Sequence, residues 1–156
     1  MLMSSSEIRG VMIPVTEGRV LLPNASVAEV ITLTTPDPVS GAPDWLLGRI
    51  PWRGWRLPLV AYSVLAGLAP AEGTVHARVA VLKALGGDPR MPYLALLTQG
   101  FPRLVTLTHE VLMPAGGSEA PPPGVRSEVM VRDEPALIPD LAALETQLRA
   151  VLKPAA

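Results

Sequence analysis

The chain has 156 residues, 49% hydrophobic and 17% charged, with a formal net charge of −1, a length that allows one domain with a real core and excludes a large multidomain enzyme. The near-neutral balance, with no basic cluster, excludes the electrostatic footprint of a nucleic-acid or anionic-membrane binder, and a surface so poor in charge is expected to be covered in part by partners. The absence of cysteine removes disulfides, thiolate metal sites and a cysteine nucleophile together, and 18 prolines favour edges, turns and loops over long helices.

Residues 1–7 read as a disordered tail with no apolar signal core. The longest apolar run, Leu57 to Ala69, falls short of the about 20 residues needed to span a bilayer, so a soluble, cytoplasmic chain is expected. Val11, Ile13 and Val15 alternate, Thr16-Glu17-Gly18 turns, and Val20 to Leu22 return, which predicts a first hairpin. Pro23 to Ala28 has a short helical look with Asn24 as its cap, and Val27 to Leu33 runs on as a strand. Thr34 to Pro43 is a proline-rich loop, after which Asp44 caps a single helical turn carrying Trp45.

The stretch from Gly48 to Leu65 is the organising element, a hairpin followed by a short helical turn. Leu46, Leu47 and Ile50 form one arm and Leu57, Leu59 and Val60 the other, with Arg53-Gly54 at the reversal, where Gly54 tolerates positive φ. Trp52 and Trp55 flank the turn and are expected to meet across the strands. Further on, Val75 to Leu85 alternates as a strand, Gly86-Gly87-Asp88-Pro89 turns, and Tyr93 to Thr98 and Phe101 to Thr108 are two more strands. Ala115 to Gly124 has no apolar periodicity and reads as a mobile loop. Val125 to Val131 and Ala136 to Ile138 make a last hairpin about Arg132-Asp133-Glu134. Asp140 then caps a closing helix with Leu141, Leu144, Leu148, Val151 and Leu152 on one stripe, and with Glu145 and Arg149 paired on the exposed side, until Pro154 ends it. About ten short strands with little helix predict a mainly β fold of two small barrels of five strands each.

No constellation in the sequence carries catalysis. His76 and His109 stand far apart without the three or four convergent ligands that a metal needs, Ser63 lacks a nucleophile-elbow context, and Gly86-Gly87 lacks the lysine of a phosphate loop. Glu7, Glu29, Glu110 and Glu128 are single carboxylates with no second group beside them. No catalytic residue, cofactor or metal is expected. Trp45, Trp52 and Trp55 could form a ligand-stacking platform, but tryptophans in a small β domain more often anchor a core or an interface.

Three motifs resemble the CheW family, the adaptor domains of bacterial chemosensory arrays. Gly48, Arg53, Gly54 and Pro58 match its Arg-Gly hairpin, Val27, Glu29 and Val30 match its Val-x-Glu-Ile, and Leu107 to Leu112 is similar to its Leu-Thr-x-Glu-x-Ile. The resemblance covers residues 8–152 in order. It implies a single domain of two five-stranded SH3-like barrels side by side, with the C-terminal helix returning to the N-terminal half. It further implies a non-catalytic adaptor that couples a methyl-accepting chemoreceptor to a CheA-type histidine kinase, with Val27, Glu29, Arg53 and Gly54 at the partner-binding positions. The chain departs from the family at Ala61-Tyr62, where Asp-Leu is usual, at Leu97-Thr98 in place of Val-Asp, and at Phe101-Pro102. These departures point to a divergent system, such as one controlling pilus-based surface motility. The alternatives are another SH3-like or OB-like interaction module, or a small ligand-binding protein using the three tryptophans.

Overall fold

Each predicted reversal is a place where the chain tolerates left-handed backbone, and the strands follow from those turns. The computed structural model describes residues 7–114 and 124–152. The first hairpin is β1 (Ile8–Val15) and β2 (Gly18–Pro23), turning at Glu17 with φ +64°. A three-residue 3-10 turn (Asn24–Ser26) leads into β3 (Val27–Thr32). The central hairpin is β4 (Leu46–Trp52) and β5 (Trp55–Val60), with Arg53 at φ +47° and Gly54 at φ +83°, the two positive angles that a tight two-residue turn requires. Then come α1 (Tyr62–Leu65), β6 (Arg78–Lys83), β7 (Tyr93–Thr98), β8 (Arg103–Leu107), β9 (Leu112–Pro114), β10 (Val125–Val131), β11 (Glu134–Pro139) and α2 (Leu141–Leu152).

The fold is mainly β, with two sheets and a C-terminal helix. The sheets hold six and five strands rather than five each, in the orders β8-β1-β2-β11-β10-β9 and β3-β6-β7-β5-β4. The extra strand is β9, too short to stand out in the sequence, which is defined only by its pairing with β10. Both sheets curl until their edges approach. Just beyond β3, Asp37 exchanges two backbone hydrogen bonds of 2.8 Å with Arg49 of β4, the opposite edge of the same sheet. Gly48 makes this possible, since at φ +140° it adopts a backbone that other residues rarely do, and any side chain there would collide with the Asp37 carbonyl. In the six-stranded sheet, residues 108–111 join the edge strands β8 and β9, and the Arg132 N–H donates to the Val111 carbonyl at 2.8 Å.

Three apolar clusters follow from this curling. Met12, Leu21, Leu107, Val129 and Ala136 fill the six-stranded sheet, and Ile50, Trp52, Leu59, Val79 and Leu97 fill the five-stranded one. The largest cluster lies where the sheets meet, with Val11, Ile13 and Val20 from one, Ala80, Leu82 and Leu96 from the other, and Leu141, Leu144 and Leu148 from α2. β6 shows the consequence in its own sequence: Val79 and Val81 enter one cluster, Ala80 and Leu82 another, so both faces are buried.

Several local expectations are corrected. Pro23, not Asn24, stands at the cap of the 3-10 turn and makes no side-chain bond, because three residues leave no longer ladder to cap. Asp44 starts no helix: Pro43 to Leu46 is a turn closed by a 3.0 Å bond from the Leu46 N–H to the Pro43 carbonyl, and strand pairing begins at once. The strands expected over residues 75–85 and 101–108 are shorter, as β6 and β8. Asp140 does cap α2, accepting from the Ala143 N–H at 3.0 Å.

Glu145, expected on the exposed side, is 1% exposed. It stands four residues after Leu141 and three before Leu148, so it shares their buried face. There it accepts the Leu85 and Gly86 N–H groups, both at 2.6 Å, with Arg149 at 3.9 Å. The helix thereby holds the loop after β6. The expected tail (residues 1–6 of it) and most of the expected loop (115–123) lie outside the described residues. Gly124, the first residue described after that gap, is pinned by the Tyr62 hydroxyl, which donates to its carbonyl at 2.8 Å, and by the Asp140 N–H at 2.9 Å. Burial, and after it the Asp140 charge, push the Tyr62 phenol far above its ordinary range, so it stays a donor.

Candidate partner-binding site

The curl of the five-stranded sheet brings together residues that are far apart both in sequence and in strand order. Glu29 lies on β3, at a register shift in the β3–β6 ladder, and Arg53 forms the tip of the β4–β5 turn. The Arg53 guanidinium donates to Glu29 Oε1 at 2.9 Å, and the Trp52 indole Nε1–H donates to the same oxygen at 3.0 Å. Arg53 also lies over the Trp52 ring, 4.9 Å from its centroid, and Tyr93 meets the ring edge-on at 4.8 Å. Trp52 is therefore the inner member of a three-residue assembly whose outer members stay in solvent, the Arg53 side chain 69% exposed and that of Glu29 38%. A charged pair held in one geometry by a buried aromatic is already ordered by the fold.

Of the four positions implied by the resemblance, the structure joins Glu29 and Arg53 directly. Gly54 follows Arg53, exposed and free of neighbours, so its contribution is the turn backbone. Val27 opens β3, half-buried against the shared core two residues before Glu29. Trp52 is the member that sequence reasoning missed. Its place at the inner end of the hairpin was visible, but its bond to Glu29 was not, because the two strands are sheet neighbours only through the curl.

The three tryptophans form no common platform. Trp52 and Trp55 are register partners, yet the ring contact of Trp52 is with Tyr93, while Trp55 is 38% exposed and Trp45 packs against the shared core. His76 and His109 sit exposed in separate turns.

A second polar assembly, also unforeseen, surrounds Glu72. Ala61, at the departure from the family's Asp-Leu, stands at the N-cap of α1 and makes no side-chain bond there. Glu72, 9% exposed, takes over that task from the following loop, accepting from the Ser63 N–H at 3.2 Å and from the Ser63 hydroxyl.

The comparisons with known proteins agree with this architecture. Among solved structures, the chain is similar to the scaffolding protein TtCheW from Thermoanaerobacter tengcongensis, with a TM-score of 0.71 at 16% identity over 88% of this chain and 87% of that one. No curated protein matches. The sequence model of the CheW-like domain matches residues 9–148, nearly the whole chain, which thus belongs to the CheW-like domain family of non-catalytic scaffold proteins.

Proposed function

We propose that this chemosensory scaffold couples a methyl-accepting chemoreceptor to a CheA-type histidine kinase, acting by assembly rather than by chemistry. A kinase held in fixed geometry against a receptor tip is biased by small receptor movements, and the adaptor supplies the two surfaces that hold it. The observation that carries this reading is the Glu29–Arg53 pair braced on Trp52, which presents both charges outward at one corner of the five-stranded sheet. Val27, half-buried on the same strand, and the exposed Phe101 and Leu104 offer apolar surface for a helical receptor tip.

We read residues 8–152 as one domain and each curled sheet as the SH3-like barrel implied by the resemblance. No helix among the described residues is long and apolar enough to cross a membrane, which suits a cytoplasmic partner of membrane receptors. The departures at Leu97-Thr98 and Phe101-Pro102 favour a divergent system, with pilus-based surface motility as the proposed setting. Calorimetric titration of the chain with the regulatory domain of its cognate kinase, and with the tip fragment of its cognate receptor, tests the reading. Saturable binding of both is expected, and binding of neither overturns it.

A further inference from the structure

We infer that Glu72 is a positioning residue that fixes one sheet against the other. Its loop runs between α1 and β6, both attached to the five-stranded sheet, yet its carboxylate reaches across to the other sheet. Oε1 accepts the Thr16 N–H at 2.7 Å, from the β1–β2 turn of the six-stranded sheet, and the Gln99 side-chain amide at 2.9 Å. Oε2 accepts the two Ser63 donors at the start of α1. Four donors from three separate segments thus converge on one carboxylate that is almost fully buried.

The surrounding bonds reinforce the same junction. The Gln99 N–H donates to the Pro14 carbonyl at 2.8 Å, its side-chain amide also donates to the Gly73 carbonyl at 2.7 Å, and the Gly73 N–H donates to the Thr16 hydroxyl at 2.9 Å. The hydrophobic contribution between the sheets is non-directional, whereas this set of bonds is directional and favours one relative placement. A carboxylate suits the position because it accepts with both oxygens and donates with neither. An amide at 72 would turn an N–H2 toward either the Thr16 N–H and the Gln99 amide or the Ser63 pair.

The β1–β2 turn that Glu72 holds also borders a cleft of about 540 Å³. Val15 and Gly18, at the ends of the β1–β2 turn, and Val129, Ala136 and Leu137 of the same sheet line it, and Leu68, whose N–H donates to the Ser63 carbonyl at 2.8 Å, enters from the α1 side. On the adaptor reading above, on which the functional consequence rests, a scaffold with two partner surfaces works only if their relative geometry is fixed. Glu72 holds that geometry without touching either partner.

The chain lacks cysteine, so nitroxide labels placed at Glu128→Cys on β10 and Lys83→Cys on β6 report the separation of the sheets by pulsed electron paramagnetic resonance. The doubly labelled parent is expected to give one narrow distance distribution. Glu72→Ala is expected to broaden it at least about twofold, at a temperature where circular dichroism shows both proteins folded. Ser63→Ala, which removes one bond within the five-stranded side only, is expected to leave the width unchanged even though it lowers the melting temperature. If Glu72→Ala does not fold, Gln99→Ala is the second variant, with a distribution broader than that of the parent expected. An unchanged narrow distribution in Glu72→Ala, or in Gln99→Ala where that variant must stand in, overturns the inference. So does equal broadening by Ser63→Ala, since the effect would then be general loosening. The measurement needs no partner, so failure to bind kinase and receptor would sink the adaptor reading and leave this result standing.

Discussion

Glu29 and Arg53 form a 2.9 Å ion pair although Glu29 stands on one edge strand of the five-stranded sheet and Arg53 in the turn that follows the opposite edge strand, and the buried Trp52 indole shares the same carboxylate oxygen. The two ends of this pair are unequal. Removing the Arg53 side chain leaves a half-exposed carboxylate that water can satisfy, at a cost of about 0.2–1 kcal/mol. Removing the Glu29 side chain strips the acceptor from a buried indole N–H, at a cost of about 1–3 kcal/mol. Urea midpoints should therefore fall further for Glu29→Ala than for Arg53→Ala. Equal losses would mean that Trp52 does not depend on Glu29.

Charge reversal at the same pair addresses binding. Arg53→Glu replaces a multidentate cation with a like charge for any acidic partner surface, and Glu29→Lys reverses its mate. Each should weaken kinase or receptor binding tenfold or more, roughly 1.4 kcal/mol. The melting temperature of Arg53→Glu should stay near that of the parent, which separates a lost contact from a lost fold. Unchanged affinities in calorimetry would remove these positions from the interface.

The terminal helix is as much a part of the core as any strand. Leu148 is fully buried and Leu144 nearly so, and truncating either to alanine should cost about 2–5 kcal/mol. Glu145→Ala should cost about 1–3 kcal/mol through the stranded Leu85 and Gly86 N–H groups, far more than a solvated i,i+4 partner would. Hydrogen exchange at Leu85 and Gly86 should speed up in that variant, and unchanged protection there would show that another group holds the loop.

Glu134 links stability to pH. A hydrogen bond from Arg103 at 2.5 Å holds its carboxyl below the usual range; desolvation opposes this in part, and the charges of Arg103 and then Arg19 add to the lowering. Since the folded value lies below the unfolded one, the stabilisation is complete above the unfolded value and is lost as pH falls through the folded value. The difference in melting temperature between the parent and Glu134→Gln should be positive at neutral pH, shrink through the acidic range, and weaken in high salt. A difference independent of pH would show that the carboxylate charge plays no part.

Local chemistry alone made much of this protein legible. Positive-φ turns at Glu17, at Arg53-Gly54 and at Arg132 close three hairpins between neighbouring segments, and the stripe of Leu141, Leu144 and Leu148 with its Asp140 cap specifies a helix within one stretch of chain. Each of these is decided by residues a few positions apart, so periodicity and turn residues suffice to find it. The Arg-Gly hairpin and the Val-x-Glu segment were readable as motifs in the same way.

What the tertiary structure decided lies wherever a partner comes from far along the chain. Strand β9 exists because β10 pairs with it, and the curl that joins Glu29 to Trp52 and Arg53 depends on Asp37 reaching Arg49 past a glycine. Glu145 has the spacing of a surface salt bridge and becomes a buried clamp only when the loop at Leu85 and Gly86 is laid against it. Glu72 looks like any loop carboxylate until four donors from three segments close around it. Side-chain pattern fixes which face of an element is apolar, but a polar group's partner is set by the three-dimensional path of the backbone, which no local spacing encodes.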